Sequence, residues 1–228
     1  MREPGTLLAS GRDADIFEYG ETMVLRRSRR GRSMKDEART MEYARAHGYP
    51  VPAVSEVSDD GTDLVMERVD GPVMVAAIGR RPWTVRRQGV ILAELHNRLH
   101  EIPAPDWAPE APCGSGDRLI HLDLHPLNVI LTSKGPTVID WTGAARGAGE
   151  VDVALTWVLL ASGGIPAGRV KAAVLGAGRS LLVNAFLSAF DLESVKPQLP
   201  AVVDWKVTDP NMTAGECRAM RSLVRRLG

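Results

Sequence analysis

Residues 120 to 141 read IHLDLHPLNVILTSKGPTVIDW, setting His121, Asp123, His125, Asn128 and Asp140 among Leu, Ile and Val. Asp123 and Asn128 are five residues apart on what reads as a loop between strands, and Asp140 ends the hairpin that follows. Phosphoryl transfer from a nucleotide needs a carboxylate to accept the attacking hydroxyl's proton. It also needs an amide oxygen to bind one metal ion and a second carboxylate to bind metal at the phosphates. Asp and Asn taken singly are turn formers, and it is their joint spacing that points to this chemistry.

The elements that position these residues follow from hydrophobic period and turn residues. Thr6–Ala9, Asp15–Tyr19 and Thr22–Arg27 read as short strands, with a tight hairpin at Gly20-Glu21. Ser33-x-x-Asp36 predicts a capping box opening a helix that stops at His47-Gly48. A strand over Asp63–Glu67 ends at Asp70-Gly71-Pro72. From Trp83 the pattern turns helical, with Gln88, Ile91, Leu92, Leu95, Leu99 and Ile102 on one face as far as Pro103. Residues 103–118 are a Pro-, Ala- and Gly-rich loop; strands follow at Leu119–Leu122, Asn128–Thr132 and Pro136–Ile139, the last two joined by a turn at 133–136. Asp152–Ala161 is apolar on all sides, a helix buried all round, which Gly163-Gly164 stops. Pro166 opens another helix toward Phe190, with a break expected at Gly176–Gly178, and Thr213-x-x-Glu216 caps a last one.

Composition excludes several classes. The 228 residues, 44% hydrophobic and 25% charged, suffice for one substantial core or two small lobes. Lys plus Arg equals Asp plus Glu at 28 each, so no global field recruits nucleic acid or a membrane. The longest apolar run, from Val153 to Ala161, is far below the roughly 18 residues of a membrane span, and the first residues lack a signal-peptide pattern. A cytoplasmic protein is therefore expected. Cys113 and Cys217 stand far apart outside any C-x-x-C spacing and read as inert thiols. Residues 26–35 hold six basic residues and no acid, which reads as a solvated loop rather than a phosphate- or RNA-facing patch. His96 and His100 lie one turn apart, a metal-like spacing that the apolar helix face assigns to packing.

The intervals between Asp123, Asn128 and Asp140 are those of the kinase signature H-R-D-L-x-x-x-N followed by D-F-G. The stretch resembles the aminoglycoside phosphotransferase and choline kinase family, whose loop reads H-G-D-L-H-P-x-N and whose metal motif reads I-D-W or I-D-F. His121, Asp123, Leu124, His125, Pro126, Asn128, Ile139, Asp140 and Trp141 agree, and Leu122 replaces the glycine. The likeness extends over residues 5 to 160: Glu37-Ala38 with HGYPVP (47–52), LVMERVDGP (64–72) and LAELHNRLHEIPAP (92–105) each match a family segment.

The resemblance implies an α+β, two-lobed protein-kinase-like fold. Residues 1–70 would form an N-terminal nucleotide-binding lobe, a small antiparallel sheet with one helix. Residues 71–228 would form a mainly helical catalytic and acceptor-binding lobe, with ATP (GTP being the alternative) and Mg²⁺ in the cleft. Asp123 would be the catalytic base or orient the acceptor hydroxyl, and Asn128 and Asp140 would hold Mg²⁺. His121 would shape the loop, and Asp152, heading the buried helix, would tie the loop to it. VLRRSRR has no lysine, so Arg26 would bind phosphate and pair with Glu37; Arg27 is the alternative, since strand alternation turns only one inward. Gly11, alone in ASGRDADIFEYG, would lie in the phosphate-covering loop. Met66 and the backbone of Glu67 and Val69 would line the adenine pocket.

The resemblance implies a small-molecule hydroxyl as the acceptor. With only 103–118 as an insertion, its site is expected within residues 165–228, under a lid formed by the last helix, whose stripe Cys217, Met220, Val224 and Leu227 packs inward. Asp191, Glu193, Asp204, Asp209 and Glu216 could face a polycation and so support antibiotic resistance, but Arg218, Arg221, Arg225 and Arg226 offset them. Two rival readings are a small atypical protein kinase, resembling the Rio and KEOPS-associated kinases, and a pseudokinase. Leu122, the absent lysine and the single loop glycine argue for the pseudokinase, and the intact Asp123, Asn128 and Asp140 against it.

Overall fold

The computed structural model describes residues 3–11, 13–162 and 169–227. Strands β1 (Leu7–Ser10), β2 (Ala14–Tyr19), β3 (Met23–Ser28), β4 (Val54–Val57) and β5 (Asp63–Glu67) precede β6 (Arg118–Ile120), β7 (Val129–Thr132), β8 (Gly135–Val138) and β9 (Ala145–Gly147). The helices are α1 (Lys35–Ala46), α2 (Met74–Arg80), α3 (Val85–His100), α4 (Gly149–Ser162), α5 (Arg169–Leu187), α6 (Leu192–Val195), α7 (Leu199–Lys206) and α8 (Ala214–Leu227). The chain forms two compact units: Met1–Pro72 with Ile130–Thr142, and Val73–Val129 with Gly143–Gly228.

The first unit holds an antiparallel sheet in the order β1-β2-β3-β5-β4, with α1. Pairing of Tyr19 with Met23 makes the β2–β3 turn one residue longer than expected, with Gly20 at φ +71. Strand β4 was not foreseen, because VSEV is half-buried only at its ends and gives no alternation. The capping box at Ser33 does not form. Met34 takes the N-cap, buried and held by its N–H on the Gly61 carbonyl (2.8 Å), and Ser33 Oγ accepts only from Lys35 N–H at 3.4 Å. The β7–β8 hairpin joins this unit through Leu131 N–H on the Pro72 carbonyl (2.9 Å) and Val138 N–H on the Pro50 carbonyl (2.8 Å). A single boundary at residue 70 does not capture that attachment.

In the second unit α3 buries Gln88, Leu92, Leu95 and Leu99 as its period predicts, with Gly89, Ala93 and His96 completing the face and Ile91 only half-buried. Helix α4 is buried along Val151–Val158, in keeping with its apolar circumference. Strand β6 pairs antiparallel with β9, an element the sequence did not announce. Helix α5 runs unbroken through Gly176–Gly178; the expected stop at Gly163-Gly164 and the opening at Pro166 lie outside the described residues. Helices α2, α6 and α7 were also unforeseen. At α8 the capping box forms: Thr213 N–H and Oγ–H donate to Glu216 Oε2 (2.9 and 2.7 Å), and Glu216 N–H donates to Thr213 Oγ1 (3.2 Å). Its buried residues are Met220 and Leu223, whereas Cys217 and Val224 are half-buried and Leu227 is exposed. The helix packs on α4 and α7, so it covers the core rather than serving only as a lid. No helix among the described residues is long and apolar enough to cross a membrane.

Candidate active site

Two polar clusters carry the motif residues. In the first unit strand alternation decides between the two arginines. Arg26 and Arg27 face opposite sides of β3, and Arg27 forks onto Asp63 (Nε 2.8 Å, Nη2 2.6 Å) while Arg26 turns to the motif side. Arg26 Nη1 pairs with Glu37 Oε1, and Nη2 donates to Asp140 Oδ1 at 2.9 Å and to Thr142 Oγ1 at 3.2 Å. Glu37 also accepts from Trp141 N–H (3.2 Å) and from Thr142 Oγ1 (3.1 Å). Burial pushes the Glu37 carboxyl up against the pull of the Arg26 guanidinium. Arg26 is itself desolvated, yet the Glu37 and Asp140 carboxylates hold its guanidinium above the usual range. Trp141 anchors the segment: it is buried, donates Nε1–H to the Val138 carbonyl (3.1 Å) and meets the Tyr49 ring edge-on at 5.5 Å. Asp140 follows that hairpin in the left-handed region, φ +64.

In the second unit the loop after β6 is hung on Asp152. One carboxylate oxygen accepts from Leu122 N–H (2.8 Å), the other from His121 N–H (3.1 Å) and from His100 Nε2 (3.1 Å). Burial alone would raise the Asp152 carboxyl, but the His100 bond, the nearby His96 and the His121 N–H together hold it well below the usual carboxylate range. His96 ties the loop a second time. Its Nε2 lies 3.0 Å from Thr156 Oγ1, and that hydroxyl lies 2.9 Å from the Leu124 carbonyl, so its one hydrogen serves either the ring nitrogen or the loop carbonyl. The metal-like spacing of His96 and His100 is therefore spent on separate hydrogen bonds to the loop's supports.

Within the loop, Asn128 Nδ2 donates to both the Asp123 carbonyl and Asp123 Oδ2, each at 2.9 Å. His125 Nδ1 faces Leu127 N–H (3.3 Å), which makes it the acceptor, puts the ring proton on Nε2 and aims that proton at Asp123 Oδ1, 3.5 Å away. Burial lowers the His125 pKa, against the pull of Asp123. Asp123 Oδ2 thus has a donor in Asn128, while Oδ1 faces the His125 ring. The Asn128 amide nitrogen is committed, which leaves Oδ1 as the atom able to bind a cation. Hard oxygen atoms on Asn128 and Asp140 fit Mg²⁺.

The nucleotide end is plainer. Gly11 N–H donates to the Ala14 carbonyl (2.9 Å), and a Cβ on Gly11 would lie 3.1 Å from that oxygen. Met66, Glu67 and Val69 are half-buried. The Glu67 N–H is spent on the Ala53 carbonyl (2.8 Å), so only its carbonyl could serve an adenine. The basic run is partly paired, Arg29 with Asp15 (3.6 Å) and Arg30 with Asp13 (3.4 Å). Sequence reasoning missed Thr142, whose residue type carried no signal, and the partnership of His100 with Asp152, 52 residues apart in the chain.

An antiparallel sheet with one helix in the first unit and a mainly helical second unit are the parts of a kinase-like fold. The family described as the phosphotransferase enzyme family matches residues 5–114 and 104–182. The chain belongs to that family and is a phosphotransferase. No curated protein matches it. Among solved structures it is similar to a choline/ethanolamine kinase family protein from Mesorhizobium loti, with TM-score 0.64 and 14% identity over 99% of this chain and 88% of that one. It is also similar to the aminoglycoside phosphotransferase APH(2″)-IIa in a streptomycin–ATP complex, with TM-score 0.61 and 16% identity over 91% and 86% of the two chains. Against the aminoglycoside phosphotransferase APH(4)-Ia the TM-score is 0.57, at 15% identity over 96% and 92%.

Proposed function

We propose that the protein transfers the γ-phosphoryl group of ATP to a hydroxyl of a small molecule. The observation that carries this reading is the double hydrogen bond from Asn128 to Asp123, which orients a carboxylate and leaves an amide oxygen for a metal ion. Asp123 accepts the acceptor's proton as the hydroxyl oxygen bonds to the γ-phosphorus. The bond to the β–γ bridging oxygen breaks, giving a phosphate ester and ADP. Asn128 Oδ1 and the Asp140 carboxylate are the proposed Mg²⁺ ligands, and Mg²⁺ when bound supplies neutralisation of phosphate charge. Arg26, steadied by Glu37, donates to a phosphate oxygen in place of a lysine. Gly11 borders the phosphates, and Met66, the Glu67 carbonyl and Val69 border the base. His121 and Asp152 shape the loop.

Structural neighbours in complexes with ATP or ADP and an aminoglycoside support nucleotide use and a small polar acceptor. The test is Mg²⁺-dependent ATP consumption by the full chain across aminoglycosides, amino alcohols, sugars and protein extract. Asp123→Asn is expected to keep nucleotide affinity and lose about 10²-fold or more in turnover. Collapse of nucleotide affinity in that variant would make Asp123 structural, and phosphorylation of protein alone would favour the protein-kinase reading.

A further inference from the structure

Thr142 belongs to no part of the motif, yet its hydroxyl lies at the centre of the first unit's cluster. Oγ1 is 3.2 Å from Arg26 Nη2, 3.1 Å from Glu37 Oε2 and 3.0 Å from Asp140 Oδ1. Arg26 only donates, so it uses a hydroxyl lone pair. The two carboxylates only accept, and the hydroxyl has one hydrogen, so it serves one of them at a time. Both carboxylates also take Arg26, but their surroundings differ: Glu37 is 5% exposed and accepts from the Trp141 N–H as well, whereas Asp140 is 43% exposed and stands on a left-handed backbone.

We propose that Thr142 is a positioning residue for Asp140, a role resting on the reading of Asp140 as a Mg²⁺ ligand. Its hydroxyl clamps Oδ1 beside Arg26, so that a divalent cation meets a carboxylate already oriented. When cation charge draws on the carboxylate, the hydroxyl hydrogen turns to Glu37 Oε2 and keeps that buried group satisfied. A valine has the same shape without the hydrogen, and a serine keeps the hydrogen without the methyl.

The experiment measures AMP-PNP affinity of the full chain by calorimetry in EDTA and in saturating Mg²⁺, for the wild type, Thr142→Val and Thr142→Ser. Thr142 is exposed, so a modest effect follows: Thr142→Val should lose about fivefold of the Mg²⁺-dependent tightening, as for one ordinary hydrogen bond and less than for a buried one to a charged group. Metal-free affinity should stay within about twofold, and Thr142→Ser should behave as wild type. Mn²⁺ binding to the unliganded chain by electron paramagnetic resonance should weaken in the same order. Equal metal dependence in wild type and Thr142→Val overturns the clamp, as does a Thr142→Ser variant as impaired as Thr142→Val. A wild type without any metal-dependent tightening overturns the Asp140 assignment itself, and the clamp with it.

Discussion

Leu122 and Asp140 are the two non-glycine residues at positive φ among those described, +58 and +64, and each adjoins or is itself a motif position. Strain of this kind persists where surroundings over-determine the backbone, and here the surroundings are explicit. The N–H groups of His121 and Leu122 are both drawn onto the Asp152 carboxylate, which fixes the turn just before Asp123. The resemblance has glycine at 122, where the left-handed conformation is free of Cβ strain. Leucine gives up roughly 1–2 kcal/mol to that strain. Its side chain is buried, however, and emptying a buried leucine site loses roughly 2–5 kcal/mol. Packing outweighs strain, so Leu122→Gly should destabilise by a net of roughly 1–3 kcal/mol in urea denaturation. A variant as stable as wild type would mean that the leucine's packing only offsets its backbone strain.

At the scale of elements, α3 and α5 meet closely because Gly89 has no side chain. A Cβ there would lie 2.7 Å from the Leu182 carbonyl oxygen, 2.8 Å from the Ala185 Cβ and 3.1 Å from the Phe186 backbone nitrogen. Alanine is the better helix former by about 1 kcal/mol, which taken alone predicts that Gly89→Ala stabilises. Two of the three clashes are with backbone atoms that cannot turn aside, and overpacking loses typically 1–3 kcal/mol. A net destabilisation of about 1–2 kcal/mol is therefore expected. A rise in the denaturation midpoint would show that the helices can part freely. The same face shows what the sequence could tell. A strong period marked α3 and an unbroken apolar run marked α4, so these elements were legible, and the Asp123, Asn128 and Asp140 spacing drew attention to the loop and hairpin that carry them. Helices α6 and α7 are four and eight residues long, with Pro197 and Pro200 around their junction, and give no period to read. Strands β4 and β9 have four and three residues. Contacts set by tertiary packing, such as His100 with Asp152 or Thr142 with Glu37, leave no trace in local pattern.

For the molecule as a whole, the buried histidine beneath the loop ties stability to pH. His96 is fully buried, with Nδ1 2.8 Å from the Leu92 carbonyl and Nε2 on Thr156. Burial pushes its pKa from 6.5 down to about 4, with Asp152 pulling the other way. Between those values the unfolded chain binds a proton that the folded chain refuses, so stability present above pH 6.5 is lost as pH falls through this window. At pH 5 the loss amounts to about 2 kcal/mol, from 1.36 kcal/mol per pKa unit. Asp152, with a depressed pKa, extends the loss below its ordinary value of 3.8. Glu37 acts in the opposite sense: its raised pKa lends stability below 4.5 that is lost as pH rises through the folded value. The acid limb between pH 6.5 and 5 should therefore come from His96 together with His125, whose pKa burial also lowers, and His96 is the share that a substitution there removes. Thermal melts of the full chain should show the wild type losing stability across that interval. His96→Gln, which cannot take up the proton in either state, should start lower at pH 7 and run flatter. Parallel pH profiles for the two proteins would place the titrating group elsewhere.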